Sequence, residues 1–225
     1  MMEHKKFIIK KIQEYRQGIK TIHEIKKELA GIPELQYIPD GIELPNLLLR
    51  HVKLKAFNCR ELYDLPDSIA TRKGLIHLLN SYLKGESTDT EIKDWAENQL
   101  CWEMGDEQDD ALINDIVNEF SLHKDYIKEY LTPIVIKRFI SLLQRNERED
   151  VERILFTLSY ENVQEEFAEV LIDFKKGKKN KLISFLDEKF EATPENFPLA
   201  PQLKNCFSDK QKNISLIEEL IAGNI

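Results

Sequence analysis

The sequence predicts an all-α protein: a multi-helix bundle, with a solenoid-like stack of helices in its second half. Three observations carry this. Apolar residues recur at spacings of three and four along most of the chain. Helix-terminating signals stand where that period starts and stops, among them Gly85, the pair Thr88 and Glu91, and Thr132-Pro133. After residue 121 the helical segments follow one another with only short turns between them.

The elements follow in order. Ile8, Ile12, Tyr15, Ile19, Ile22 and Leu29 form one apolar stripe among lysines and glutamates, closed by Gly31 and Pro33. That stripe is expected to pack on its own chain rather than form an oligomeric coiled coil. Residues 30–46 hold three prolines and two glycines, which excludes a regular helix and leaves room for a short extended piece or two. Residues 46–65 read as a helix, or a helix and a turn, with a strand over 51–57 as the alternative; Pro66 and Asp67 follow as punctuation. Leu75, Leu78, Leu79, Tyr82 and Leu83 make the face of a helix that Gly85 ends. Thr88 and Glu91 are spaced as a capping box for a helix lined by Ile92, Trp95, Ala96, Gln99 and Leu100. Gly105 breaks it, and Asp109 or Asp110 caps a further helix bearing Leu112, Ile113, Ile116, Val117 and Phe120. Helices are then expected over 125–131, 134–144, 150–158, 163–176, 181–190 and 214–221, with a turn at 177–180 and an irregular bridge at 191–201. The expected organisation is a helical domain over 1–120, with an acidic helix-turn-helix at 86–120, and a helical-hairpin stack over 121–225; the two halves could equally be one continuous domain.

Composition bounds the function. Hydrophobic residues make up 42% and charged residues 32%, the balance of a folded chain. No apolar run approaches the roughly 20 residues that cross a bilayer, and the amino terminus has neither the apolar core nor the cleavage site of a secretory signal. Cytoplasm is the expected location. Cys59, Cys101 and Cys206 lie far apart, without zinc-ligand spacing, and are expected to be reduced, mostly buried thiols.

The net charge of −8 is unevenly placed. Residues 1–84 carry 15 Lys/Arg against 10 Asp/Glu, residues 85–120 one lysine against 12 carboxylates, and residues 121–225 16 against 18. A stretch of net −11 repels nucleic acid and anionic membranes and attracts basic proteins or divalent cations.

At its centre is GDEQDD, residues 105–110. Asp106, Glu107, Asp109 and Asp110 resemble a cation loop only in composition: apolar Ala111 and Leu112 stand where an EF-hand needs its glycine region. Some of these acids suit helix N-termini, and the rest form either a solvated turn or a surface that meets a protein. Trp95 and Trp102 lie seven residues apart on nearly one helix face, as core packing or as anchors for a partner. Other chemistry is thin. His23 opens a zincin-like HEIKK, but Lys27 occupies the second ligand position. Glu165 and Glu169 stand one helical turn apart without the histidine of a di-iron motif. The basic stretches KKFIIKK, with Phe7 alone, and KKGKK lack the series of interleaved aromatics of a single-strand platform. No phosphate loop or nucleophile elbow is present, and neither metal nor cofactor is expected.

The stretch LIHLLNSYLKGESTDTEIKDWAENQL, residues 75–100, resembles a pattern of small acidic bacterial proteins, including immunity proteins of polymorphic and contact-dependent toxin systems. The likeness extends over residues 75–120. It implies no catalysis, but the binding and blocking of a cognate toxin, often a basic nuclease. The expected function is therefore a non-enzymatic protein-binding protein that neutralises a basic partner through an acidic surface. Partner-binding residues are expected at Trp95, Trp102, Asp106, Glu107, Asp109 and Asp110. An intracellular helical scaffold or adaptor is the alternative, with a carboxylate enzyme behind both.

Overall fold

The computed structural model describes residues 2–30, 42–43, 53–54, 70–100, 110–122 and 127–224. Within them the fold is all-α, apart from one two-residue antiparallel pairing. The helices are α1 (Met2–Arg16), α2 (Ile22–Ala30), α3 (Arg72–Leu83), α4 (Asp89–Leu100), α5 (Ala111–Leu122), α6 (Ile127–Tyr130), α7 (Pro133–Leu143), α8 (Glu149–Thr157), α9 (Glu161–Lys175), α10 (Lys179–Phe190), α11 (Ala200–Leu203) and α12 (Lys210–Ala222). Strands β1 (Ile42–Glu43) and β2 (Lys53–Leu54) pair Ile42 with Leu54 and Glu43 with Lys53. The extended alternative thus holds at these two residues of the 46–65 stretch; the remainder of that stretch lies outside the described residues. The chain divides into two compact units, Met1–Thr132 and Pro133–Ile225.

In the first unit α4 is the hub, packing on α1, α3 and α5. Ile92, Trp95 and Ala96 on α4 and Leu112, Ile113, Ile116, Val117 and Phe120 on α5 are all buried, as the three-and-four spacing demands. Tyr82 of α3 meets Phe120 of α5 edge to face, centroids 6.2 Å apart. The capping box is made as expected: the Thr88 N–H donates to Glu91 Oε2 at 3.0 Å, and the Glu91 N–H donates to Thr88 Oγ1 at 3.2 Å. Gly85 adopts φ 72° and closes α3, its N–H on the Tyr82 carbonyl and the Glu86 N–H on that of Ser81.

The single amino-terminal stripe is two helices. Gly18, at φ 75°, turns the chain after α1. A second capping box then starts α2: the Thr21 N–H donates to Glu24 Oε2 at 2.8 Å, and the Glu24 N–H to Thr21 Oγ1 at 3.2 Å. Ile19, read as part of the stripe, lies in the turn and is 45% exposed. The two helices are cross-tied by Lys11, whose Nζ stands 2.7 Å from both Glu14 and Glu28, while Lys20 also pairs with Glu28. Burial alone would discharge Lys11, but its hydrogen bonds to Glu14 and Glu28 win and raise its basicity.

In the second unit α9 carries α10 and α12, and α12 also packs on α7, which meets α8. A solenoid keeps each repeat to its sequence neighbours. Here the last helix returns to the first of the unit, so the packing is that of a bundle and does not have a solenoid's order. Phe167, Phe185, Phe190 and Phe197 form one aromatic cluster, with Phe167 and Phe185 stacked at 5.1 Å. Helix α12 begins earlier than the apolar period indicates, because Asp209 caps it by accepting the Lys212 N–H at 2.9 Å.

Candidate functional site

Sequence points to the acidic stretch around α4 and α5. Trp102, Asp106, Glu107 and Asp109 lie outside the described residues. Trp95 and Asp110 are described, and both have structural work. Trp95 is 1% exposed, and its indole N–H donates to the Tyr15 carbonyl at 2.9 Å, joining α4 to α1. A side chain with no free surface cannot anchor a partner, so the anchor role expected for Trp95 is corrected: it is core. Asp110 is the N-cap of α5, its Oδ1 accepting the Ile113 N–H at 3.3 Å. Both of its oxygens also face Arg72, with Nε to Oδ2 at 2.5 Å and Nη2 to Oδ1 at 3.2 Å. This fork ties the start of α5 to the start of α3.

The other described carboxylates are engaged too. Asp89 accepts the Tyr82 hydroxyl at 2.7 Å, and burial first, then that bond, pushes the phenol pKa up. Glu91 completes its capping box and lies 3.7 Å from Lys26 of α2. Glu97 lies 3.9 Å from Lys93, one helical turn away. Asp94 and Glu91, behind burial, raise the Tyr15 phenol. The segregation seen along the chain is therefore partly undone in space: Lys26 and Arg72, from the basic first 84 residues, lie against acids of the 85–120 stretch. Even so, Asp89, Glu91, Asp94, Glu97, Asp110, Asp115 and Glu119 all stay partly exposed, while Ile92, Trp95, Ala96, Leu112, Ile113, Ile116, Val117 and Phe120 of the same helices are buried. Apolar side inward and carboxylates outward is the arrangement of a helix pair whose outer surface is acidic.

Among the described residues no group of three or more His, Cys, Asp or Glu gathers as metal ligands would. His77 instead meets Glu24, Nε2 to Oε2 at 3.0 Å. Burial opposes ionisation of Glu24, but bonds from Thr21 and His77 outweigh it and hold the carboxyl below its usual value. Glu165 and Glu169 are bridged by Lys210 of α12, at 3.0 and 2.8 Å. Cys206 is buried, which pushes its thiol pKa up and makes it a poor nucleophile.

A polar network in the second unit has no counterpart in the motif reading. Arg138, 7% exposed, donates from Nη1 to the Ser159 carbonyl at 2.6 Å and from Nη2 to Gln164 Oε1 at 3.1 Å. It also forks onto Glu218 of α12, with Nε to Oε2 at 3.3 Å. One guanidinium thus ties α7 to the α8–α9 turn, to α9 and to α12. The signal was available: Arg138 falls three residues after Val135 and four before Leu142, on the buried side of PIVIKRFISLL. Beside it, Ile134, Lys137, Ile221 and Ala222 line an open groove of about 200 Å³ between α7 and α12. That is below the usual size of a small-molecule pocket.

Compared with family models, curated proteins and solved structures, the chain matches none.

Proposed function

We propose that this chain is a non-enzymatic protein-binding protein whose acidic α4–α5 surface engages a basic protein domain. The observation that carries the reading is the 12 carboxylates against one lysine in residues 85–120, together with the partial exposure of every described one on α4 and α5. A surface of that sign raises the encounter rate with a basic partner, while a few desolvated contacts set the lifetime of the complex. The likeness of residues 75–120 to immunity proteins supports a narrower form, in which the partner is a basic toxin domain held inactive in the cytoplasm.

The test is recovery of partners from the native host by wild type and by a charge-reversed variant. The variant carries Lys at Glu97, Asp106, Glu107, Asp109, Asp115 and Glu119. Asp110 is left intact because removing it would break a helix cap and an ion pair, confusing lost binding with lost folding. Circular dichroism checks that the variant is folded. A basic protein held by wild type, released by salt and lost by the variant supports the reading. Equal recovery by both forms refutes it.

One observation favours a second reading, a helical scaffold or adaptor. The α7–α12 groove has an apolar side, with Ile134 48% exposed. A partner kept by the charge-reversed variant and lost by Ile134→Glu would move the function there.

A further inference from the structure

The second unit carries a concentrated positive surface where α9 turns into α10. Residues 175–181, KKGKKNK, hold five lysines and no carboxylate, and all seven residues are exposed. Gly177, at φ 85°, closes the turn with its N–H on the Phe174 carbonyl at 2.9 Å. Among the described residues Asp173 is the carboxylate that pairs with this turn, through Lys181 and, at 3.6 Å, Lys178; none pairs with Lys175, Lys176 or Lys179. Two apolar side chains border the lysines. Ile183, 46% exposed, lies one helical turn beyond Lys179 on α10. Phe207 is 42% exposed and follows Cys206, whose thiol stands 3.9 Å from the Leu171 carbonyl of α9, one turn before Lys175. Lys212 Nζ lies 5.9 Å from the centre of the Phe207 ring and adds a cation there.

We propose that this part of the second unit is a docking surface for an anionic phospholipid membrane, with the lysines against the headgroups and Ile183 and Phe207 entering the interface. The contact is peripheral: among the described residues no helix is long and apolar enough to cross a membrane. Charge complementarity and the bordering apolar side chains carry the assignment. Each lysine brought near an anionic leaflet strengthens binding about fivefold. It needs no oriented partner, because an ammonium is a hydrated point charge where arginine offers a planar fork. Exposed apolar groups beside cations are what an interfacial contact buries. Nucleic acid fits less well: the turn holds no arginine, and the single ring of Phe207 is not the series on which successive bases stack. Carboxylates elsewhere in the chain oppose the contact only within a screening length of the same surface, about 8 Å at physiological salt. The proposal does not rest on the acidic-surface reading, which concerns α4 and α5.

Co-sedimentation of the full chain with sucrose-loaded vesicles tests this, using phosphatidylcholine alone and phosphatidylcholine mixed with phosphatidylserine or phosphatidylglycerol. Wild type is expected to pellet with both anionic mixtures and not with phosphatidylcholine alone. It should be released when salt rises from about 0.15 M to about 1 M, where the screening length falls from about 8 Å to about 3 Å. The triple variant Lys175→Glu, Lys176→Glu, Lys179→Glu should bind at least about 100-fold more weakly. Its circular dichroism spectrum should match wild type's, because the three side chains are exposed. Ile183→Ser should bind about fivefold more weakly and keep the salt response, a loss that charge alone does not produce. Wild type left in the supernatant with every vesicle, equal binding to phosphatidylcholine alone, or a lysine variant that binds as wild type does overturns the proposal. So does capture of random-sequence duplex DNA without vesicle binding, when the lysine variant loses it; the turn would then belong to nucleic acid.

Discussion

Substituting Gly74 by alanine tests whether helix α3 is placed by a backbone crossing. Gly74 sits in the first turn of α3, where alanine should help: intrinsic helix propensity alone favours it by about 1 kcal/mol. The crossing argues otherwise. A Cβ on Gly74 would lie 1.7 Å from the Gln17 carbonyl oxygen, 2.8 Å from the Gln17 carbonyl carbon and 3.0 Å from that of Gly18. These are backbone atoms, so no rotamer change relieves the overlap. The turn and the helix must part by more than about 1 Å to restore ordinary contact. That motion strains the bonds that Thr71 makes to the Gln17 carbonyl, both 3.4 Å, and opens the packing of Leu75, Leu78 and Leu79, which are at most 2% exposed. Overpacking costs typically 1–3 kcal/mol and more where backbone must move, so Gly74→Ala should destabilise by about 3 kcal/mol net. Urea unfolding followed by far-ultraviolet circular dichroism measures it. Gly85→Ala is the control: at φ 72° with open space around it, it should cost only about 1 kcal/mol. A Gly74→Ala protein as stable as wild type would refute the crossing.

Four further outcomes are expected. Trp95→Ala should cost about 3–5 kcal/mol of stability in the same assay, because it empties a core site and leaves the Tyr15 carbonyl without its donor; a change under about 1 kcal/mol would return Trp95 to the surface. Arg138→Met should cost about 3 kcal/mol, and Arg138→Met with Glu218→Met should recover part of it, as expected when a buried charge network is removed whole; no coupling in the double-mutant cycle would refute the network. Glu191 ends α10 at φ 49°, a region where glycine is at ease, so Glu191→Gly should raise the unfolding free energy by about 0.5–1 kcal/mol, read as a higher urea midpoint. Glu24 and Glu28 ionise below the ordinary glutamate value of 4.5, Glu28 through Lys11 and then Lys20. Their contribution is complete above about pH 4.5 and lost as pH falls through the lowered folded-state values, so the melting temperature of Glu24→Gln, Glu28→Gln should fall less than wild type's on acidification from pH 5 to pH 3.

Much of the helical framework was legible because its signals are local. Thr88 and Glu91 cap α4, Gly85 closes α3, and Asp110 caps α5 through contacts spanning three to five residues, which a linear reading contains. The same local logic was missed at Gly18 and Thr21, because apolar spacing continued across the break and outweighed a capping box of identical form. The candidate site was legible only as charge. Which carboxylates pair with a distant cation depends on residues far apart in sequence, such as Arg72 and Asp110 or Lys26 and Glu91.

By itself, then, the sequence determined the helical class, the end of α3 and the starts of α4 and α5, and the acidic character of residues 85–120, since period, capping and composition are properties of neighbouring residues. Only the tertiary structure decided that Trp95 is core, that Asp110 holds Arg72, and that Arg138 ties α7 to the α8–α9 turn, α9 and α12. The physical reason is that desolvation and Coulomb attraction act over a few ångströms through space, so the partner that buries, pairs or frees a side chain is chosen by packing and not by position along the chain.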